Sequence, residues 1–348
     1  MPSIGAGLER ARNFERIATP EERDKQSFLA IASFFRSQQY QTPADKVFGM
    51  MSLSYSYLQA RPRPDSTRCL EGLYTSVVTL SLVETGSLDF LSHVYGHSAL
   101  RDSNSRRMEL PTFVPDLTAT VPDQIWNTMT LFRCESICFY NSTQGSFADS
   151  TILQNREAIT SAMVIDTLVA TLDFDDLVAS FRQFKHLKSR PNPYKNVDEA
   201  FWRTLCGDTH RQFNSMWKPA EASDVLRYNS WYIWAHTTTT PLYHAGKGVQ
   251  DFQVLFNIQR AGRRFAVTEM GYIGWVPWKA HKGDAVALMP GGKVPYVLRQ
   301  VSEAEDGGVE GGKSSGLRKW RFLGDAYVHG VMHGEAWDPY RLEQIVLV

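Results

Sequence analysis

The sequence predicts an α+β protein in which a helical N-terminal lobe packs on a β-rich, barrel-like C-terminal part. Residues 1–110 show helical periodicity with helix-start signals, and residues 111–263 mix extended and helical patterns. Residues 264–348 hold short apolar runs separated by glycine and proline turns, a spacing typical of a small barrel or a twisted sheet. We expect these three stretches to form one compact unit.

Capping residues mark several helices. Two segments, Thr19-Pro20-Glu21-Glu22 and Thr42-Pro43-Ala44-Asp45, each join a cap residue, a proline and acids at a helix start. They predict helices over 19–39 and 46–53. Gly86 ends a predicted helix over 70–85, because glycine tolerates the left-handed backbone found there. Periodicity predicts further helices over 8–17, 174–185, 197–205, 220–233 and 249–261.

Extended segments follow a different pattern. Two prolines push residues 110–116 out of the helical region. Composition predicts strands over 131–140, 150–153, 162–165, 265–267, 285–289, 296–301, 320–323, 326–328 and 344–348. Asp284 is predicted to cap the turn before one of them. The Gly-, Ser- and acid-rich residues 303–316 predict a loop between two strands.

Composition narrows the possible partners and location. The 348 residues are 43% hydrophobic and 21% charged, with 37 Lys plus Arg against 37 Asp plus Glu. A net charge of zero disfavours nucleic acid and acidic membranes as partners. The N-terminus lacks the apolar stretch of a signal peptide, no apolar run is long enough to span a bilayer, and four cysteines do not form a disulfide framework. We therefore expect a cytoplasmic protein.

Four ordered segments resemble the C-terminal region of fungal heterokaryon-incompatibility (HET-type) proteins. The segment DKVFGMMSL at 45–53 is similar to the family's DKVFALLGL helix. Residues 88–94 and 110–116 are similar to its LLSHV…LPSWVPDW pair, with Phe113 in place of a tryptophan. Residues 264–299 resemble its longest C-terminal signature, and GDAYVHGVMHGEA at 324–336, here named the closing segment, resembles its final motif. Each match alone is weak, whereas the ordered set is specific.

The resemblance implies a function with one departure. The family's N-terminal domain carries YxALSYxWG and RxWxxQE segments, and neither occurs in this sequence. That domain is held responsible for the cell death that follows fungal self/non-self recognition. The resemblance therefore implies a recognition or regulatory module without its effector domain, acting through contacts with another protein.

The closing segment concentrates groups capable of chemistry. If it continues as a strand, Tyr327, His329, His333 and Glu335 alternate to one sheet face. Tyr327, His329 and Glu335 are then candidate acid/base groups, with His333 as a substrate-binding residue. Alternatively, its glycines form a tight turn and the polar side chains satisfy buried backbone groups. We favour the turn. The flanking glycines also argue against a helix that would pair the two histidines on a metal.

Two aromatic segments are further candidates. Glu269 precedes Tyr272, Trp275 and Trp278, and a carboxyl group among such rings would gain a raised pKa and act as an acid. We favour the alternative, a surface glutamate beside a structural hairpin. The segment from Trp231 to His244 offers His236 as an acid/base group and four pocket-lining residues. An aromatic core helix with a polar loop explains it equally well. The pocket-lining residues are Trp231, Trp234, Tyr243 and His244.

These candidates leave an enzymatic alternative open. No GxxxxGK[ST], GxGxxG, GxSxG or HExxH motif occurs, so we predict neither a cofactor nor a metal. The chemistry would then be cofactor-independent: an isomerase, cyclase or dehydratase of fungal secondary metabolism acting on a small apolar or aromatic molecule. Such an enzyme requires the candidate residues to converge on an enclosed aromatic pocket. Their dispersal would count against it.

Overall fold

The computed structural model describes residues 42–51, 69–94, 110–117, 132–152, 157–211, 217–237, 240–302 and 316–348. It confirms the α+β class and the barrel-like C-terminal part. The helices are α1 (Asp45–Met51), α2 (Leu70–Thr85), α3 (Leu177–Leu187), α4 (Val197–Cys206), α5 (Val225–Thr237) and α6 (Lys247–Arg260). The predicted helices over 8–17 and 19–39 and the predicted loop over 303–315 lie outside the described residues. The predicted boundaries at 110 and 263 remain predictions.

Eleven strands occur in the described part of the chain. They are β1 (Thr151–Ile152), β2 (Ala158–Leu172), β3 (Thr209–Arg211), β4 (Trp217–Pro219), β5 (Arg263–Thr268), β6 (Ile273–Pro277), β7 (Ala285–Leu288), β8 (Tyr296–Gln300), β9 (Arg318–Asp325), β10 (Tyr327–Val328) and β11 (Glu343–Leu347). β3 and β4 form a separate hairpin, and the other nine share one sheet.

The long strand β2 closes this sheet into a ring. Its first third pairs with β11, its middle with β7 and its last third with β5. Since β11 continues through β9 and β8 to β7, hydrogen bonding returns to β2. Register shifts in its pairings lie between Val164 and Asp166 and between Leu168 and Ala170, and such bulges bend a strand. Only 162–165 of this strand was predicted from sequence.

The sheet separates two hydrophobic cores, because successive strand residues point to opposite faces. In β7, Ala285 and Ala287 face the larger core, which includes the helices, whereas Val286 and Leu288 face the smaller one. Both faces are therefore buried. This explains why the C-terminal strands read as continuous apolar runs rather than as alternating ones.

Local signals mark the ends of α2 and α4, and the one at Gly86 was predicted. Gly86 ends α2 in the left-handed conformation with φ of 58°. Asn196 caps α4 by accepting hydrogen bonds from the backbone amides of Asp198 and Glu199, and Gly207 ends that helix with φ of 67°. The predicted strand over 131–140 is wrong: residues 132–136 are helical and a 3-10 turn, Ile137–Phe139, follows. Tertiary contacts override strand propensity there, since the Arg133 guanidinium donates to the buried carbonyl of Ala261 at 2.6 Å.

Candidate functional site

The closing segment is a strand end followed by turns. β10 stops at Val328, and residues 329–336 are turns in which Gly330 and Gly334 adopt φ of 79° and 90°. A Cβ atom at Gly334 would lie 2.6 Å from Cγ of Gln144. The alternative of strand alternation from Tyr327 to Glu335 does not hold, because left-handed glycines interrupt the extended backbone. The turn that we favoured is confirmed.

The turn nevertheless brings Tyr327 and His329 together. The Tyr327 hydroxyl lies 2.9 Å from His329 Nδ1. Burial raises the pKa of Tyr327 well above its usual value, so the phenol keeps its proton. Burial also lowers the pKa of His329, although the charge of Asp208 opposes this. The pair is thus neutral near pH 7.

Two further tyrosines enclose this pair. The Tyr194 ring lies 5.5 Å from the His329 ring, and its hydroxyl donates to the His329 carbonyl at 2.9 Å. That hydroxyl also accepts from the Ile273 amide at 3.0 Å. The Tyr140 ring lies 5.8 Å from the Tyr327 ring, and its hydroxyl donates to the Gly207 carbonyl at 2.6 Å. All three phenols are occupied by protein groups, as expected of a buried polar network that fixes structure.

Charged groups lie at the two margins of this network. Asp208, just after α4, is 2.6 Å from Arg203, which also pairs with Glu199 at 3.0 Å. On the other side, Asp325 is buried between Arg263 at 2.7 Å and Arg133 at 3.6 Å. Burial favours the neutral carboxyl, but the two guanidinium groups outweigh it and lower the pKa of Asp325. Burial lowers the pKa of Arg263 to about 10.

The exposed end of the closing segment is held by local contacts. His333 and Glu335 are exposed, and the Glu335 carboxylate accepts from the His333 amide at 2.7 Å. The His333 ring lies 6.1 Å from Tyr140. Glu335 therefore stabilises the turn, and it makes no hydrogen bond to the Tyr327–His329 pair.

The residues of the predicted aromatic hairpin lie partly in the core and partly at the surface. Trp275 is fully buried, and its indole donates to the Thr204 carbonyl at 2.8 Å. Tyr272 is half-buried beside Tyr194, and Trp278 is 41% exposed. Glu269 is exposed, which agrees with the surface glutamate that we favoured. The three rings do not enclose its carboxyl group.

The aromatic segment around α5 also contains both buried and exposed residues. Trp231 is fully buried and donates to the Gln253 side chain at 2.7 Å, so the core alternative holds for this residue. Trp234 donates to the Thr240 carbonyl, and His236 stacks on Tyr232 with ring centres 4.0 Å apart. The exposed pair Tyr243 and His244 lies beyond the helix, with ring centres 4.2 Å apart.

The predicted site residues do not form one group. Tyr327 and Trp275 are cross-strand partners, and the Tyr194 ring contacts both Tyr272 and His329. In contrast, no hydrogen bond, ion pair or ring contact between described residues joins His236 or Glu269 to the Tyr327–His329 pair. A groove of about 270 Å³ lies elsewhere, across β2, β11 and β9. None of the predicted site residues lines it; its lining is Ala162, Val164, Arg318, Trp320, Arg341, Glu343 and Ile345. Within the described ranges, no cluster of three His, Cys, Asp or Glu side chains is arranged to hold a metal, and no helix suits a membrane span.

Sequence reasoning missed the partners that hold the resembling motifs together. The Asp284 carboxylate is buried, caps the His281 amide as predicted, and also binds Arg299 in a two-pronged pair at 2.7 and 2.8 Å. Gly274 packs so closely that a Cβ atom there would lie 2.1 Å from the Tyr327 carbonyl oxygen. Tyr140, Tyr194 and Asp208 carry no local motif, so no spacing in the sequence indicated them.

Comparison with known proteins agrees with this scaffold. Residues 242–348 match the family model described as Het-6 beta-barrel domain, which covers β5 to β11 but not the ring-closing β2. The chain is 23% identical over 356 residues to Heterokaryon incompatibility protein 6, OR allele, of Neurospora crassa. That alignment covers 87% of this chain and 50% of the relative, so the chain spans about half of the relative's length. No solved structure matches. The chain is thus distantly related to a Het-6 incompatibility protein over most of its length, and its C-terminal end matches a Het-6 beta-barrel domain.

Proposed function

We propose that this chain is a HET-type recognition or regulatory module that acts through contacts with another protein. The observation that carries the proposal is that side chains of the resembling motifs are engaged in contacts within the protein. Their chemically capable side chains bond to one another and to the backbone, as in the Tyr327–His329 and Asp284–Arg299 pairs. Groups used in this way build a scaffold, and a scaffold exerts function through the surfaces it presents.

The relative's name adds a biological context to the proposal. The relative is named a heterokaryon incompatibility protein, and the family that the sequence resembles acts in fungal self/non-self recognition. We propose that the present chain takes part in recognition of that kind, with its effector function supplied by a separate domain or protein. The chain's net charge of zero suits a protein partner better than nucleic acid.

The arrangement of the candidate residues favours this role over an enzymatic one. A cofactor-independent isomerase or cyclase needs its acid/base groups within reach of one bound substrate. Here His236 packs on helix side chains, Glu269 is exposed, and the Tyr327–His329 pair is enclosed by tyrosines. We therefore do not propose a catalytic function.

The test is affinity capture from fungal extract with the tagged intact chain, followed by identification of the captured protein. The purified partner is then titrated by calorimetry. We expect one specific partner that binds equally well to wild type and to Tyr327→Phe, since that hydroxyl is engaged internally. Two results together would overturn the proposal: no saturable partner on capture, and no change in growth or fusion on expression in fungal cells.

A further inference from the structure

The helix α5 is apolar on more faces than the protein buries. Its sequence, VLRYNSWYIWAHT, spreads large apolar residues around the whole helix, a pattern typical of a fully enclosed helix. Only Trp231 is buried. Leu226 and Ile233 are 68% and 59% exposed. They lie seven residues apart and therefore share one stripe of the helix.

Helix α3 packs beside α5, next to this exposed stripe. Phe181 of α3 contacts α5 through Tyr232, with ring centres 5.0 Å apart. Val178 and Lys185 lie three residues before and four residues after Phe181, on the same side of α3. Val178 is 44% exposed and Tyr232 is 38% exposed. We define the α3/α5 surface by its apolar and basic members: Val178, Arg182, Lys185, Leu226, Tyr232 and Ile233.

The charged residues of α3 and α5 are all basic, and the nearby carboxylate of Asp198 on α4 is paired with Lys188 at 2.7 Å. Neither α3 nor α5 contains an Asp or a Glu. Arg182 and Lys185 are exposed and form no ion pair with a described residue, whereas Arg227 is already paired with Asp224 at 3.0 Å. The acids nearest in sequence stand outside the stripe: Asp176 caps the start of α3, and Asp224 bonds His210.

We propose that the α3/α5 surface docks an acidic amphipathic helix of a partner protein. Two packed helices offer a shallow groove for the apolar stripe of a third. The unpaired cations on α3 then select a helix with Asp or Glu beside its apolar positions. This inference rests on the proposed recognition function and names the chemistry of the partner.

Charge also disfavours two other occupants. In a twofold dimer each patch faces its own copy, so Arg182 and Lys185 would meet the same cations. An anionic membrane attracts a protein by about 1 kcal/mol per basic residue near its surface. Two free cations on a chain of zero net charge supply little of that attraction.

The test uses a labelled 18-residue peptide with Leu at helical spacing and Glu beside each Leu. Its control carries Lys in place of every Glu. Fluorescence anisotropy with the intact protein should give a micromolar Kd for the acidic peptide and at least about tenfold weaker binding of the basic one. Equal binding of both peptides, or binding of neither, overturns the inference.

Surface variants locate the binding. Leu226→Ser with Ile233→Ser should weaken the acidic peptide by at least about tenfold. Val83→Ser is the matched control, because Val83 is 77% exposed on α2. If the control weakens binding as much as the double variant does, the peptide binds another surface and the inference is wrong.

A charge reversal tests the selectivity. Arg182→Glu with Lys185→Glu should reverse the preference, so that the basic peptide binds more tightly than the acidic one. Arg341→Glu, a single reversal of an exposed cation on another face, should leave the preference unchanged. A preference that survives the double reversal would overturn the role assigned to these cations.

Two further measurements separate the other occupants. Concentration-dependent dimerisation that Ile233→Ser abolishes would identify a second copy as the occupant. If the wild-type protein sediments with phosphatidylserine vesicles but does not bind the peptide, and Ile233→Ser abolishes the sedimentation, the occupant is a membrane. Either result overturns the inference. A partner captured from extract that tolerates Leu226→Ser with Ile233→Ser leaves the recognition function standing and refutes this docking surface alone.

Discussion

The closing segment at 324–336 and the helix α5 both carry predicted site residues, and the protein uses the side chains of the two segments in opposite ways. In the closing segment the Tyr327 hydroxyl binds His329, and the His329 carbonyl binds Tyr194. In α5, Leu226 and Ile233 extend into solvent. A cluster of chemically capable or apolar residues in a sequence therefore does not by itself locate a binding surface. What matters is whether the rest of the chain has already engaged them.

The largest expected effect is on stability and comes from Gly274→Ala, where β6 and β10 approach each other closely. Gly274→Ala places a methyl group 2.1 Å from the Tyr327 carbonyl oxygen, so β6 and β10 must separate. We expect a loss of roughly 3 kcal/mol or more in the free energy of unfolding, or failure to fold, measured by urea denaturation.

The control for this variant is Gly145→Ala. Gly145 has φ of 73° and no neighbour within 4 Å, so alanine there meets backbone strain without a clash. The cost should be about 1 kcal/mol. Equal losses in the two variants would show that the Gly274 contact does not hold the closing segment.

The next effect concerns the buried ion pair. Asp284→Asn leaves Arg299 without its two-pronged carboxylate partner, and we expect a loss of roughly 2 to 3 kcal/mol because the arginine is partly screened by solvent. Glu343→Gln removes the exposed pair with Arg318 and should cost less than about 0.5 kcal/mol. Chemical denaturation compares them, and a Glu343 variant as damaged as the Asp284 variant would contradict the assignment.

A smaller effect depends on pH. Because the pKa of His329 is lowered in the folded state from 6.5, the unfolded chain takes up this proton first as pH falls. His329 therefore costs no stability above about pH 6.5 and costs progressively more below it, by at most about 1.4 kcal/mol per pH unit. His329→Asn, which keeps an acceptor for Tyr327, should flatten the fall in thermal stability between pH 7 and 5. An unchanged slope would contradict the buried neutral imidazole.

The smallest effect on stability is expected in α5. Ile233→Ser changes an exposed side chain, so the melting temperature should stay close to that of wild type, with less than about 0.5 kcal/mol lost. Trp231→Ala in the same helix empties a fully buried site and should cost about 3 to 5 kcal/mol. A large loss in the Ile233 variant would mean that this stripe packs within the protein and is not a docking surface.

Local signals predicted the elements whose cause is local. Gly86 ends its helix in the left-handed conformation as predicted, and the short C-terminal apolar runs are strands. Prediction failed where distant contacts decide. Residues 132–136 became helical against strand composition, and β2 extended far beyond its predicted four residues because four other strands pair with it.

The candidate site shows the same limit. The sequence marked Tyr327 and His329, and the structure pairs them. No local pattern in the sequence indicated Tyr140, Tyr194 or Asp208. These residues surround that pair from segments more than one hundred residues away in the chain. The strand alternative for Tyr327 to Glu335 did not hold, because residue spacing places side chains on one face only while the backbone stays extended.

The amino-acid sequence by itself determined the α+β class, the caps and turn glycines, and the resemblance to incompatibility proteins, because each is written in the order of neighbouring residues. Only the tertiary structure decided that β2 closes the ring, that the closing segment serves as scaffold, and that α5 leaves Leu226 and Ile233 exposed. Burial and hydrogen-bond partners arise from residues distant in sequence, so they become visible only once the chain is folded.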